Sequence, residues 1–312
     1  MTGPEATGPE ATEPAEPTVE ATTRLDSAAA AQVRALAAAA TEADGVSPLN
    51  EATRLRLNEP GDGLVHVRAT ANGRLLGYGQ LDLTDPDGPA ADAELVVDPA
   101  ARRAGVGTAV LARLRAEAGR RELRVWAHGS GVAAAALARR AGLAPVRELL
   151  RMQRPATGLP PRPDPPAGTA IRTFVPGRDE QGWLAVNAAA FAGHPEQGRW
   201  TADDLAAREA EPWFDPAGFF LAVDAERSGT ITGFHWTKLE RGERTGEVYV
   251  IGVHPDAQGS GLGRVLLLTG LHHLADHGAT AIELYVEGDS PAVRLYQRTG
   301  FTVAARDIMY AG

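Results

Sequence analysis

The sequence predicts two tandem domains of mixed α/β (α+β) class, each with one central sheet flanked by helices. Three observations lead there. The chain has 312 residues, 44% of them hydrophobic and 23% charged, which is globular composition with length enough for two cores. Its halves repeat: Val97-Asp98-Pro99 and Arg102-x-x-Gly105-x-Gly107 recur, 156 positions on, as Val253-His254-Pro255 and Gln258-x-x-Gly261-x-Gly263. A repeat of this length is a duplicated domain and not a solenoid. Within each copy, short apolar strands and amphipathic helices mix in the order expected of a layered fold.

Taken along the chain, residues 1–23 read as a disordered acidic tail. They repeat TGPEA, carry Glu5, Glu10, Glu13, Glu16 and Glu20, and hold almost no large apolar side chain. Burial there cannot offset chain entropy. Residues 24–153 form the N-terminal domain. The segment 154–168, RPATGLPPRPDPPAG, has six prolines and reads as an extended linker. Residues 169–312 form the C-terminal domain. It opens with a strand at Ala170–Thr173 and helical stretches near 178–192 and 201–210. Strands follow at Phe219–Asp224, Thr230–Lys238 and Glu243–Val253, then a helix from Leu262 to Asp276. Leu267, Leu271 and Leu274 stand at i, i+4 and i+7, which buries that helix. A strand at Ala281–Val286, a helix at Pro291–Arg298 and a strand from Phe301 complete the copy.

Charge and composition exclude several functions. There is no cysteine, hence no disulfide, thiolate metal site or cysteine nucleophile. The net charge is −9, of which the tail supplies five, and no basic block offers a nucleic-acid face. No apolar run nears 18 residues, and no basic-then-apolar leader opens the chain. A cytoplasmic, monomeric protein with neither membrane nor nucleic-acid partner is expected. Of 31 basic residues only Lys238 is lysine, either drift or a place that needs a compact ammonium. His273 and His277 stand four apart on a helix, but no HExxH context accompanies them, so no metal is expected.

The chemistry concentrates in EVYVIGVHPDAQGSGLGRVLL, residues 247–267. A strand ends at Val253, a turn follows, and Gly259, Gly261 and Gly263 lead into a helix. Glycines let backbone N–H groups approach a ligand, and a helix N-terminus favours anions. The spacing suits neither a dinucleotide fingerprint nor a Walker loop. A plain glycine-rich turn is the bland alternative, and the second copy of the same frame argues against it.

This frame resembles the acetyl-CoA-binding motif of the GCN5-related N-acetyltransferases. Some 30 residues on, Asp289-Ser290-Pro291-Ala292-Val293-Arg294-Leu295-Tyr296 with Gly300-Phe301 is similar to the second motif of that superfamily, with Asp289 where asparagine is usual. WAHG, NAAAFAGHPEQGRWT, EPWFDP, GFHWTK and GEVYVIGVHP further resemble its tandem members that acetylate the cysteinyl amine of a cysteine–glucosamine–inositol conjugate.

The resemblance implies a mixed, mostly antiparallel sheet in each domain and acetyl-CoA as co-substrate, with no metal. For acetyl-CoA it points to Leu95, Val96, Val97, Arg103, Ala104, Gly105, Val106, Gly107 and Thr108 in the first copy. In the second it points to Ile251, Gly252, Val253, Gln258, Gly259, Ser260, Gly261, Leu262, Gly263, Arg264, Asp289, Ser290 and Arg294. For the acceptor it points to Glu51, Glu196, Lys238, Glu247 and Tyr285, so that the acceptor would draw on both domains. Glu247 is the candidate base, and Tyr296 the candidate acid that protonates the departing sulfur. The first copy has Ala138 in place of Tyr296, so catalysis is expected in the second copy and at most acetyl-CoA binding in the first. Two alternatives stay open here: acetylation of another small amine, such as an aminoglycoside or amino acid, and a non-catalytic acetyl-CoA-binding module.

Overall fold

A computed structural model describes residues 17–58, 63–193, 197–225 and 229–312. The chain forms two compact units. One holds the residues up to Glu148 together with Arg306–Gly312, the other Leu149–Ala305. Each is a mixed, mostly antiparallel sheet flanked by helices, as expected.

The sheet of unit 1 begins with β1 (Thr18–Thr22), β2 (Leu64–Ala71), β3 (Arg74–Asp82), β4 (Ala90–Val97) and β5 (Glu122–Ala127). β4 and β5 are parallel and the other neighbours antiparallel. α1 (Ser27–Asp44) starts where the Asp26 carboxylate accepts from the Ala29 N–H and stops at Gly45, whose φ is 72°. Its buried Ala30, Val33, Leu36 and Ala40 join Tyr78 and Val96 in one core layer. After α2 (Glu51–Leu55), the second layer comes from α3 (Val106–Ala118), whose Val110, Leu111 and Leu114 meet Val67, Leu81 and Ala93. α4 (Val132–Arg140) buries Ala138 in the same layer.

β6 (Ala144–Pro155) gives unit 2 its residues from Leu149 onward, which pair antiparallel with β11 (Ala281–Glu287). The sheet continues through β10 (Thr245–Val253), β9 (Thr230–Lys238), β8 (Phe219–Asp224) and β7 (Thr169–Thr173). β10 and β11 run parallel, and the β11–β6, β10–β9, β9–β8 and β8–β7 pairs antiparallel. α7 (Leu262–Asp276) covers one face with Leu267, Leu268, Leu271 and Leu274, joined by Tyr296 of α8 (Ala292–Arg298) and by Phe301. α5 (Glu180–Ala190) and α6 (Ala202–Glu209) lie with an aromatic layer of Trp183, Phe219, Phe234 and Trp236. A capping box between Thr201 and Asp204 starts α6. The last strand, β12 (Thr302–Ala311), ends in unit 1, where Ile308–Ala311 pairs with β5.

Two stretches differ from the sequence reading. Thr18–Thr22 is not tail but strand, paired antiparallel with β2. Val19 and Ala21 reach the core, and ladder hydrogen bonds supply what composition alone does not. Residues 1–16 lie outside the described part. The proline-rich stretch 154–168 lies within unit 2 and is tied down there. The Ala156 N–H donates to the Thr280 carbonyl, Arg154 donates to the carbonyls of Thr299 and Thr157, and the Pro160 carbonyl sits 2.8 Å from His272 Nε2.

Beneath α7 lies His235, fully buried, its Nδ1 2.8 Å from the Leu266 carbonyl. Burial holds its pKa down to about 4, against the pull of that carbonyl, so the ring is neutral and Nδ1 carries the proton. Gly270 lies directly over it, and a Cβ there would overlap the ring. Gly→Ala in a helix normally gains about 1 kcal/mol. Here the ring is fixed by its hydrogen bond, and overpacking costs about 1–3 kcal/mol. Gly270→Ala is therefore expected to lower the thermal unfolding midpoint, measured by circular dichroism, where an open site would raise it.

Candidate active site

In unit 2 the parallel pair β10–β11 is in register only over Thr245↔Ala281, Gly246↔Ile282 and Glu247↔Glu283. Beyond Glu247, β10 continues for six more residues without pairing to β11. On its other side the register with β9 shifts between Val248 and Val250, making Tyr249 an extra residue. The bulge reverses the alternation of faces. Val248 packs with the α7 layer, whereas Tyr249 and Val250 both pack with the aromatic layer. The strand thus diverges from β11 and leaves an edge of backbone groups ending at Ile251, Gly252 and Val253.

The chain then turns into the glycine loop. Gly259 and Gly261 have φ of 79° and 86°, a region that side chains other than glycine rarely adopt. A Cβ at either would meet nothing within 4 Å, and at Gly263 only Leu295 and Val253, each at 3.8 Å. The Gln258 side-chain amide donates to the Val253 carbonyl at 3.2 Å, and the Ser260 hydroxyl donates to the Ala257 carbonyl at 2.7 Å. These two bonds tie the loop to the strand end. Leu262, Gly263 and Arg264 form the first turn of α7; the Arg264 N–H donates to the Gly261 carbonyl at 3.0 Å and the Leu262 N–H to Ser260 Oγ at 3.4 Å, and none of the three has the i−4 partner of a helix interior. Open space, glycine backbone and a helix N-terminus together fit a pyrophosphate.

Glu247 faces away from Gly246 and Val248, on the side of the aromatic layer. Lys238 is its cross-strand partner on β9. The Lys238 ammonium lies 5.0 Å from the Trp213 ring centre and 5.9 Å from that of Tyr249, and 3.1 Å from Glu240 Oε1. The Tyr249 phenol accepts from Arg208 Nε–H at 3.0 Å. Burial raises its pKa first of all, with Arg208 opposing and the Glu247 charge adding to the rise. Tyr285 is on β11, two residues beyond Glu283, and is 46% exposed. Alternation puts Glu247, Lys238 and Tyr285 on one face of the sheet. Glu196 lies outside the described residues, and Glu51 begins α2 in unit 1.

Tyr296 enters from the opposite face. Its ring is buried edge-on against Phe301, centroids 5.9 Å apart, and packs among Leu267, Leu268, Leu271 and Val286. Burial pushes the phenol up to about 12, so it holds its proton throughout the working range. Asp289 is exposed before α8, Ser290 Oγ accepts from the Ala292 N–H at 3.3 Å, and Arg294 is exposed on α8.

Unit 1 has the same parts in altered form. β4 pairs with β5 through Glu94↔Trp126, leaving only Leu95, Val96 and Val97 beyond, and its register with β3 has no shift. Arg103 occupies the position of Gly259 at φ 68°, and Gly105 that of Gly261 at φ 84°. Ala104 lies between them in this loop, and Val106, Gly107 and Thr108 begin α3. A Cβ at Gly107 would meet Leu137 at 3.3 Å, so this cradle is tighter. Arg102 grips both oxygens of Asp44, at 2.8 and 2.7 Å, and is thereby committed to α1. Ala138 is buried where unit 2 has its phenol. Tyr249, Trp213 and Arg208 carry no signal in strand periodicity, because a bulge leaves the apolar pattern unchanged.

Among the described residues no group of three or more histidines, aspartates or glutamates is placed to hold a metal. None of the described helices is long and apolar enough to cross a membrane.

The comparisons with known proteins agree with this geometry. The model of the acetyltransferase (GNAT) family matches residues 31–143 and again 185–301. A mycothiol acetyltransferase of Thermomonospora curvata is 55% identical over 281 residues, covering 89% of this chain and 92% of that protein. The mycothiol acetyltransferase of Streptomyces coelicolor is 52% identical, covering 89% and 90%. Among solved structures, a GCN5-related N-acetyltransferase from Sphaerobacter thermophilus superposes with a TM-score of 0.72 at 25% identity, covering 94% of this chain and 95% of the other. A tandem GNAT protein from the clavulanic acid biosynthesis pathway gives 0.73 at 21%, covering 95% and 98%. Two matches to one family model, on two units that each carry the parallel strand pair and glycine loop, make this chain a tandem member of the acetyltransferase (GNAT) family.

Proposed function

We propose that the chain is an acetyl-CoA-dependent N-acetyltransferase of mycothiol synthesis, acetylating the cysteinyl amine of the cysteine–glucosamine–inositol conjugate. One observation carries the assignment of catalysis to unit 2. The early divergence of β10 from β11, the bulge at Tyr249, the open glycine cradle, Glu247 and the Tyr296 phenol occur together there, and unit 1 lacks the bulge, the carboxylate and the phenol.

Gly259, Ser260, Gly261, Leu262, Gly263 and Arg264 would hold the pyrophosphate of acetyl-CoA, with Gln258 fixing the loop. Ile251, Gly252 and Val253 would offer backbone N–H groups along the extended arm and to the acyl oxygen, and Asp289, Ser290 and Arg294 would border it at α8. Acetyl-CoA supplies a thioester whose thiol leaves when the amine attacks. Glu247 takes a proton from the acceptor ammonium, directly or through water. Tyr296 keeps its proton at the phenol oxygen until the sulfur needs it. Lys238 donates to sugar or inositol hydroxyls, and Tyr285 donates and accepts. For the acceptor, the family resemblance also names Glu51 and Glu196.

Three predictions follow this reading. The purified protein is expected to acetylate the cysteinyl–glucosaminyl–inositol conjugate far faster than free cysteine or an aminoglycoside; equal rates on all three would remove the acceptor assignment and leave the acetyltransferase. In the second, Gly261→Asp and Gly263→Asp are expected to abolish turnover, because a charge would occupy the cradle. Gly105→Asp and Gly107→Asp should retain appreciable activity. Loss of activity in first-copy variants that still fold, read by circular dichroism, would overturn the division of labour.

The third concerns proton transfer. Tyr296→Phe and Glu247→Gln should each lower kcat by at least ~10², the lower end for general acid–base groups, with the KM for acetyl-CoA little changed. Their pH profiles separate them. A phenol that titrates near 12 is protonated at every pH from 6 to 10. Tyr296→Phe therefore lowers the whole profile without changing its shape there, and Glu247→Gln flattens the acid limb. Near-parental turnover by Tyr296→Phe would mean that the thiolate leaves unassisted.

A further inference from the structure

Unit 2 holds a tyrosine and an arginine that the chemistry above leaves unused. Tyr249, the extra residue of the β10 bulge, packs with the aromatic layer. Glu247, two residues earlier on the strand, takes the same face, and bulges are one means of aiming a side chain beside a site. Three tryptophans hold the Tyr249 ring, with centroids at 4.8 Å for Trp213, 5.3 Å for Trp236 and 6.4 Å for Trp200. The phenol oxygen accepts from Arg208 Nε–H at 3.0 Å. Arg208 is fixed in turn: its guanidinium lies 3.9 Å over the Trp200 ring, and its Nη1 donates to the Asp204 carbonyl at 2.9 Å. Asp204 belongs to the capping box that starts α6. Unit 1 has no residue in the place of Tyr249, because β4 keeps one unbroken register with β3.

We propose that Tyr249 and Arg208 are positioning residues for Glu247: Arg208 fixes the phenol oxygen, and the phenol offers its proton toward the carboxylate, directly or through the water by which that carboxylate works. The proposal rests on the reading of Glu247 as the base, which its place as the last residue of β10 paired to β11 supports, and deepens it. An N–H on one side of the phenol oxygen leaves the hydroxyl proton the direction away from Arg208. Lys238 joins the two groups in space. Its ammonium lies 5.9 Å from the Tyr249 ring centre, and it is the register partner of Glu247.

Burial raises the Tyr249 pKa above the usual phenol value. Arg208 and Lys238 oppose the rise and the Glu247 charge adds to it, so the phenol and the carboxylate lie within electrostatic reach. The phenol therefore keeps its proton through the working range and acts as a donor. The other charged groups around the pair are Glu240, 3.1 Å from the Lys238 ammonium; Glu283 of β11, in register with Glu247; Arg151 of β6, 3.3 Å from Glu283; and Asp204, whose carboxylate accepts from Thr201. A donor and a cation beside a carboxylate favour its ionised form, which is the form in which a base takes a proton.

The test measures kcat, both KM values and the unfolding midpoint in the parent, Glu247→Gln, Tyr249→Phe, Arg208→Gln and the Tyr249→Phe/Arg208→Gln double variant. The acceptor is the cysteinyl–glucosaminyl–inositol conjugate, and the profile runs from about pH 5 to 10. Tyr249→Phe keeps the ring and its packing and should lower kcat on the order of tenfold, as loss of a hydrogen bond to a charged group does. The acetyl-CoA KM should stay within about twofold of the parent. The acid limb should move up by about one pH unit, because a donor to the ionised form is gone. Arg208→Gln should move the limb in the same direction. The double variant should turn over within about twofold of Tyr249→Phe, since residues that act as one unit are not additive. An unchanged kcat and acid limb in Tyr249→Phe, while Glu247→Gln flattens that limb, would overturn the proposal alone. An acid limb left in place by Glu247→Gln would overturn the base reading and the proposal with it. Additive losses in the double variant would show Arg208 acting apart from Tyr249 and overturn the pair. A lower kcat and unfolding midpoint with an unmoved acid limb would overturn it in favour of plain packing. If Arg208→Gln does not fold, the acid limb of Tyr249→Phe decides.

Discussion

A parallel strand pair that stops pairing early is the constraint on which the rest of unit 2 depends. β10 and β11 share three registered positions, and then β10 runs on alone for six residues. Backbone N–H and C=O groups are obligatory hydrogen-bonding groups, so an interior strand with one unpaired edge is an exposed set of donors and acceptors awaiting a partner. An extended amide-bearing arm such as that of acetyl-CoA is such a partner. The bulge at Tyr249 makes the divergence compatible with a continuous core. It turns Val250 toward Trp236 and the aromatic layer while Val248 stays with α7. Glu247, the last paired residue, therefore stands at the start of the open edge.

The two units serve as a control on one another. Both close the strand-to-helix turn with left-handed residues, and unit 1 does so even at Arg103, where a side chain at φ 68° is disfavoured. Loop conformation alone therefore does not distinguish the units. Their differences lie around it: a shorter divergence of β4 from β5, no register shift between β4 and β3, Leu137 closer over Gly107, and Arg102 paired to Asp44. Each difference stiffens the site or fills it. Unit 1 reads as the same scaffold with its freedom spent on packing.

How much of this was legible in the sequence follows from what periodicity can carry. α7 from Leu262 to Asp276 and β9 from Thr230 to Lys238 match the sequence reading residue for residue, because long apolar stripes and flanking glycines specify them. The glycine cradle and Tyr296 emerged because the duplication displayed each beside its altered counterpart. The strand Thr18–Thr22 was hidden: five residues in acidic, proline-rich surroundings resemble a tail until β2 offers a ladder. The bulge was invisible, since VYVIGV alternates no differently with or without an extra residue. The hydrogen bonds of the His128 ring to Glu94 and Asp307 join positions 34 and 179 residues apart, and such a separation leaves no local pattern.

The site also divides its two candidate proton carriers by environment, and this division is a stronger physical argument than either residue alone. Tyr296 lies among leucine, valine and phenylalanine side chains, where the charged phenolate is poorly solvated, so it is held as an acid. Glu247 stands on the other face, in register with Lys238 of β9. Here the sheet does the separating: the α7 layer receives the phenol, the aromatic layer borders the carboxylate, and the open edge of β10 runs between them. A single residue change, Tyr to Ala, removes the acid from the corresponding place in unit 1 without disturbing the helix that carries it, since Ala138 is buried in α4 just as Tyr296 is in α8.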